Sequence, residues 1–196
     1  MLEVTQQPQQ SLFTWPGWRL EFCWQLDRWQ HILWQASAAG WRRCVISIEG
    51  TADQTWPDSP AFQNAYIERI SDTCSEIQLL GQAGKSHYSG AIRCDSHQQV
   101  IDFDMAVRIH ATPTAPFLMS TYQVVHPAGL SELQKVWELT PEALPGQPAI
   151  VPEWTTEVAT SNSTVRLRMP NLTDMRAEKL RATLRWKYQW RLKPNA

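Results

Sequence analysis

Between Val100 and His110 the polar residues Asp102, Asp104, Arg108 and His110 fall on one set of alternate positions, and Ile101, Phe103, Met105, Val107 and Ile109 fill the other. A period of two is strand geometry, and residues two apart on a strand point the same way, about 7 Å from each other. Two carboxylates so placed have the reach to share a cation or to act as an acid and base pair, with Arg108 and His110 further along the row. If the row lines a cleft, desolvation and mutual repulsion would raise at least one carboxylate pKa, as an acid catalyst requires. The simpler account is a solvated strand face whose acids pair with Arg181, Arg185, Lys187 or Arg191 on a neighbouring strand.

His87 is the best single histidine candidate and joins Asp102, Asp104 and His110 as the residues an enzymatic reading would use. It shares an alternating face with Arg93 and Asp95. The preceding Gly84-Lys85-Ser86 looks like the end of a phosphate-binding loop, but the position five before Gly84 is Leu79 where that loop needs glycine. A hairpin with Lys85 at its tip fits better. The chain contains no G-x-S-x-G, H-E-x-x-H or G-x-G-x-x-G, and its five histidines are isolated from one another in sequence. Hydrolase, zinc-protease and dinucleotide readings therefore have no motif behind them, and we expect neither cofactor nor metal.

Eleven tryptophans, seven of them within the first 56 residues, are the strongest compositional feature. An indole either fills a core or stands at a cleft and stacks on sugar rings, bases or cations. Trp18, Trp24, Trp186 and Trp190 alternate with polar residues on clear strands and read as core. Trp15, Trp56, Trp137 and Trp154 lie in loops or unclear segments beside proline or acidic residues, which makes them the candidates for a ligand-binding rim.

The elements that must carry these residues are mostly strands. Trp18 to Leu26, Val100 to His110 and Ala182 to Leu192 each alternate apolar and polar residues, and the last has an aromatic face opposite a cationic one. Trp29 to Gln35, Trp41 to Glu49, Cys74 to Leu80, Ser86 to Cys94 and Thr164 to Met169 read as further strands, with Phe117 to Val125 central because both its faces are apolar. Phe62, Ala65, Tyr66 and Ile70 recur at helical spacing after Ser59-Pro60, which predicts a short helix over 61–70. Leu130, Leu133, Val136 and Trp137 suggest a second, and a helical turn fits 174–179. Residues 1–14 show no periodic apolar pattern and read as a poorly ordered lead-in or an edge segment. Pro141, Pro145, Pro148 and Pro152 mark an irregular excursion at about 140–153.

The formal charge of −1 hides a division. From Thr164 onward nine Lys or Arg face two acids, whereas residues 1–163 carry nine bases and seventeen acids. We read this as a basic strand docked beside acidic ones. Nucleic acid is not the expected partner, because on the last strand aromatics and cations point to opposite sides, whereas a stacking groove needs both on one surface. Cys23, Cys44, Cys74 and Cys94 have no zinc-like spacing and suit small, half-buried apolar positions in a reducing compartment. No run reaches the length of a membrane span, and no basic region leads into an apolar run at the start, so the expected location is the cytoplasm.

The sequence thus points to a mainly β chain, an antiparallel β-sandwich or flattened β-barrel with one or two short helices, forming a single domain over 15–196. The function expected is non-enzymatic binding of an apolar or carbohydrate-like small ligand, or of another protein chain. The alternatives are a small-molecule enzyme using the Asp/Asp/His row and a homo-oligomeric structural protein whose spare aromatics fill a subunit interface.

Overall fold

The computed structural model describes residues 1–51, 53–110, 118–125, 137–139, 153–158, 163–168 and 183–192. They form β1 (Glu3–Gln7), β2 (Gln10–Trp15), β3 (Trp18–Gln25), β4 (Arg28–Ser37), β5 (Gly40–Ser47), β6 (Asn64–Arg69), β7 (Cys74–Ala83), β8 (Ser86–Asp95), β9 (Val100–Arg108), β10 (Leu118–Val124), β11 (Trp137–Leu139), β12 (Glu153–Val158), β13 (Ser163–Arg168) and β14 (Thr183–Arg191). Two antiparallel sheets pack face to face without closing into a barrel, which selects the sandwich. The first sheet runs β1-β2-β3-β4-β5-β10-β13-β12, the second β11-β14-β9-β8-β7-β6.

Alternation decides which side chains go inward. On β3 Trp18, Leu20 and Phe22 are buried while Arg19 and Glu21 are half-buried on the other face, and on β9 Ile101, Phe103, Met105 and Val107 fill the interior. From β14 the buried Trp186, Tyr188 and Trp190 join them, with Phe103 stacked on Tyr188 at 4.4 Å between ring centroids. Such aromatic pairs add to the burial of their large apolar area. The hairpin turns use left-handed backbone at Gly17 (φ 85°) and Leu26 (φ 59°).

One expectation is overturned and another is narrowed. Residues 1–14 are the edge segment and not a loose lead-in: β1 and β2 form a hairpin continuing into β3, with Leu2 and Phe13 buried. An edge strand is held by its ladder and can stay polar, so β1 leaves no hydrophobic rhythm to read. The helix over 61–70 is replaced by β6, paired residue for residue with β7 from Asn64–Leu80 to Arg69–Ser75. The same residues carry a period of two, Ala65 and Ile67 half-buried against Asn64, Tyr66 and Glu68 exposed, and the open edge of β7 selected it. Ser59 caps no helix. Its Oγ accepts from Thr121 N (2.9 Å) and donates to Thr121 O (3.2 Å), fixing the 50–63 loop on β10.

No helix occurs among the described residues. Of the helix expected over 130–137, Trp137 instead opens β11 and 130–136 lie outside those residues, as do the turn at 174–179 and most of the Pro-rich excursion. No disulfide joins the four cysteines.

Candidate functional site

Strand register arranges the outer face of the second sheet as a grid. One row reads Glu68, Glu76, Arg93, Asp102 and Gln189 across β6, β7, β8, β9 and β14, the next Tyr66, Gln78, Ala91, Asp104 and Lys187, and the third Asn64, Leu80, Ser89, Ala106 and Arg185. Opposite charges meet along it from β7 to β14, whereas Glu68 lies opposite Glu76 at the β6 edge. Arg93 donates from Nε and Nη2 to Glu76 Oε2 at 3.1 and 2.9 Å, and Gln189 Nε2 donates to Asp102 Oδ1 at 2.5 Å. Arg185 holds both oxygens of Asp104, Nε at 2.6 Å from Oδ1, and Lys187 Nζ lies 3.4 Å from Oδ2. Burial pushes the Asp104 carboxyl upward, but hydrogen bonding to Arg185 and the charges of Lys187 and Arg185 outweigh it and hold the group below its usual range.

The basic C-terminal strand therefore docks against an acidic one, as the charge division implied. Asp102 and Asp104 are ion-pair and amide acceptors on the half-exposed outer face. His110 is six residues beyond Asp104, roughly 20 Å along an extended chain, so the three do not meet in one cleft. His110 meets His87 instead. The two exposed rings stand edge to face, 5.7 Å between centroids, although 23 positions separate them in sequence. Among the described residues no three His, Cys, Asp or Glu side chains gather as a metal-binding group.

Small side chains in the grid leave a trough. Ser89, Ala91 and Ala106 form its floor along β8 and β9, flanked by Tyr66 and Leu80 on one side and by Asp104, Arg185 and Lys187 on the other. Two hollows of about 360 and 410 Å³ meet here, sharing Ala91 and Asp104. Tyr66 and Leu80 are 60% and 49% exposed, which gives one wall an open aromatic and aliphatic surface and the other a row of charges.

The tryptophan rim expected from sequence fares differently. Trp15 is 2% exposed and belongs to the core, because β2 extends through it and turns its ring inward. Trp56 is half-buried and packs against the core from the 50–63 loop. Trp137 and Trp154 lie on β11 and β12, with side chains outside the described set.

A buried polar chain between the sheets went unread in the sequence. His31 on β4 and Glu49 just past β5 are 6% and 7% exposed, with His31 Nδ1 3.9 Å from Glu49 Oε1. Ser47 Oγ touches Glu49 Oε1, accepts from His31 N (2.9 Å) and donates to His31 O (3.1 Å). On the other side His31 Nε2 lies 3.0 Å from the Tyr122 hydroxyl, which bonds to the Tyr188 hydroxyl; Tyr188 donates to Ser120 Oγ (3.3 Å), as does Trp186 Nε1 (3.3 Å). Burial lowers the His31 pKa from 6.5 to about 3 and raises that of Glu49 from 4.5 to about 8. Burial thus favours the uncharged form of both groups. The signal was present as parity: His31 keeps step with Trp29 and Leu33, and Glu49 with Val45 and Ser47, on inward-facing positions.

No protein-family model matches this chain, and no curated protein matches it. The class defined by the coordinates is an antiparallel two-sheet β-sandwich with a polar trough on one outer face. No helix among the described residues is long and apolar enough to cross a membrane.

Proposed function

We propose that this chain is a non-enzymatic binding domain whose ligand is a carbohydrate-like molecule seated in the trough of the second sheet. The observation behind this reading is the pairing of walls: exposed Tyr66 faces the Asp104, Arg185 and Lys187 cluster across a floor of Ser89, Ala91 and Ala106. A sugar ring has an apolar C–H face that stacks on an aromatic ring and an equatorial fringe of hydroxyls that bonds to planar charged groups. Four strand spacings separate Tyr66 from Lys187, roughly 19 Å, which is room for a short oligosaccharide lying across the sheet. The charged groups already bond to one another, which fixes them in place before a ligand arrives and lowers the entropy lost on binding.

The enzymatic alternative has less behind it, because Asp102 and Asp104 sit roughly 20 Å or more from His110 and Asp104 is held as a carboxylate by two cations. The test is a titration of isotopically labelled protein with a panel of neutral and acidic oligosaccharides, followed through backbone amide shifts. Saturable shifts concentrated on β6, β8, β9 and β14 are expected. Spectra unchanged across the panel at millimolar sugar would overturn the reading.

A further inference from the structure

Building on the carbohydrate reading of the trough, we propose that its ligand is an anionic oligosaccharide whose carboxylate or sulfate is held by Arg108 and His87. Strand register carries the outer grid one row beyond the trough walls. Gln82, His87, Arg108 and Thr183 stand in line across β7, β8, β9 and β14, next to the row of Leu80, Ser89, Ala106 and Arg185. All four are exposed. On the trough floor Ser89 lies opposite Ala106, and the next pair on the same face is His87 opposite Arg108, about 7 Å along the strands.

Charge separates this row from the other three. Those rows hold the acids Glu68, Glu76, Asp102 and Asp104, and each of their cations is bonded to one: Arg93 to Glu76, Arg185 and Lys187 to Asp104. Arg108 stands in a row without an acid, and among the described residues its guanidinium enters no hydrogen bond or ion pair. An anion brought to Arg185 or Lys187 would also meet the Asp104 carboxylate, and at the opposite end of the grid it would meet Glu68 and Glu76. At Arg108 it meets neither. A guanidinium offers a planar fork of N–H donors that fits two oxygens of a carboxylate or sulfate, and an imidazole adds an N–H in either tautomer. His110 stands edge to face against His87, 5.7 Å between centroids, which limits the swing of the His87 ring. Tyr66 and Arg108 are three strand spacings and two rows apart, roughly 20 Å on the diagonal, so a short oligosaccharide stacked on Tyr66 reaches Arg108 across the floor.

Calorimetric titration of the full chain with a neutral oligosaccharide and with uronate- and sulfate-bearing counterparts of the same length tests the assignment. At least one acidic counterpart should bind about tenfold or more tighter than the neutral sugar, the worth of a hydrogen bond to a charged group, and the tighter of the two names the oxyanion. The preference should disappear in Arg108→Gln, an exposed position whose change leaves the core intact. It should persist in Arg69→Gln, which removes a cation that pairs with Asp72 instead. Equal affinity for acidic and neutral sugars, or an acidic preference that survives Arg108→Gln, would overturn the assignment and leave the carbohydrate reading standing. Absence of binding by all three sugars would overturn both.

Discussion

Arg185 clasps Asp104 across the β9–β14 ladder with two donors of one guanidinium, Nε on Oδ1 and Nη2 on Oδ2. The residues are 81 positions apart, and the fork geometry that joins them also sets the charged wall of the trough.

Asp104→Asn should separate stability from binding. Both partners are about a third exposed, so losing the ion pair costs about 0.5–1 kcal/mol, read as a small fall in the urea midpoint with an unchanged slope. Sugar titration shifts on β8 and β9 should vanish at the same time, because Arg185 and Lys187 lose the acceptor that orients them. A midpoint shift of several kcal/mol would show that the pair is structural first.

Tyr66→Ala removes a ring that is mostly in water, so the thermal midpoint should barely move, within about 0.5 kcal/mol. Binding should weaken by about 0.5 to 1.5 kcal/mol, the order of one aromatic contact. Unchanged affinity in calorimetry would remove Tyr66 from the site.

Gly81→Ala should destabilise the second sheet on the side that carries the Tyr66 and Leu80 wall. A Cβ at Gly81 would lie 1.9 Å from the backbone oxygen of Ala61 and 2.7 Å from Phe62 Cα, contacts that no rotamer change relieves. The 61–63 segment must move, at about 1–3 kcal/mol, and hydrogen exchange should accelerate in β6 and β7. Unaltered exchange there would mean that the segment gives way freely.

His31 sets an acid limit. Its pKa is about 3 when folded and near 6.5 when unfolded, so its contribution is complete above 6.5 and drains away as the pH falls toward 3, by up to about 1.4 kcal/mol per pH unit. Over the overlap from 4.5 to 6.5 the opposite slope of Glu49 cancels it, and the combined effect is a plateau there with a descending limb below 4.5. His31→Gln should flatten that acid limb in urea unfolding at pH 3.5 to 4.5. A limb of unchanged steepness would assign the acid sensitivity to other groups.

Strand identity was legible wherever one face meets water: Trp18 to Gln25, Val100 to Arg108 and Thr183 to Arg191 all announce themselves by alternation, and the pairing of basic β14 with acidic β9 followed from charge. The trough was not legible, since it depends on Tyr66, Gln78, Ala91 and Asp104 falling in one row across four strands, and the spacing around Tyr66 predicts a helix. Trp15 was misplaced for a related reason. Its neighbours Pro16 and Gly17 read as loop, and only the β2–β3 register turns the ring inward.

From composition and rhythm alone came the sheet class, the inward faces and the sign of the charges that meet, because these are properties of one strand and its own two sides. Pairing partners, the meeting of His87 with His110, and the joining of His31, Glu49, Tyr122 and Tyr188 were decided in three dimensions. Parity says which side of a sheet a group faces; which groups it finds there depends on strand order, and strand order is set by the packing of the whole sandwich.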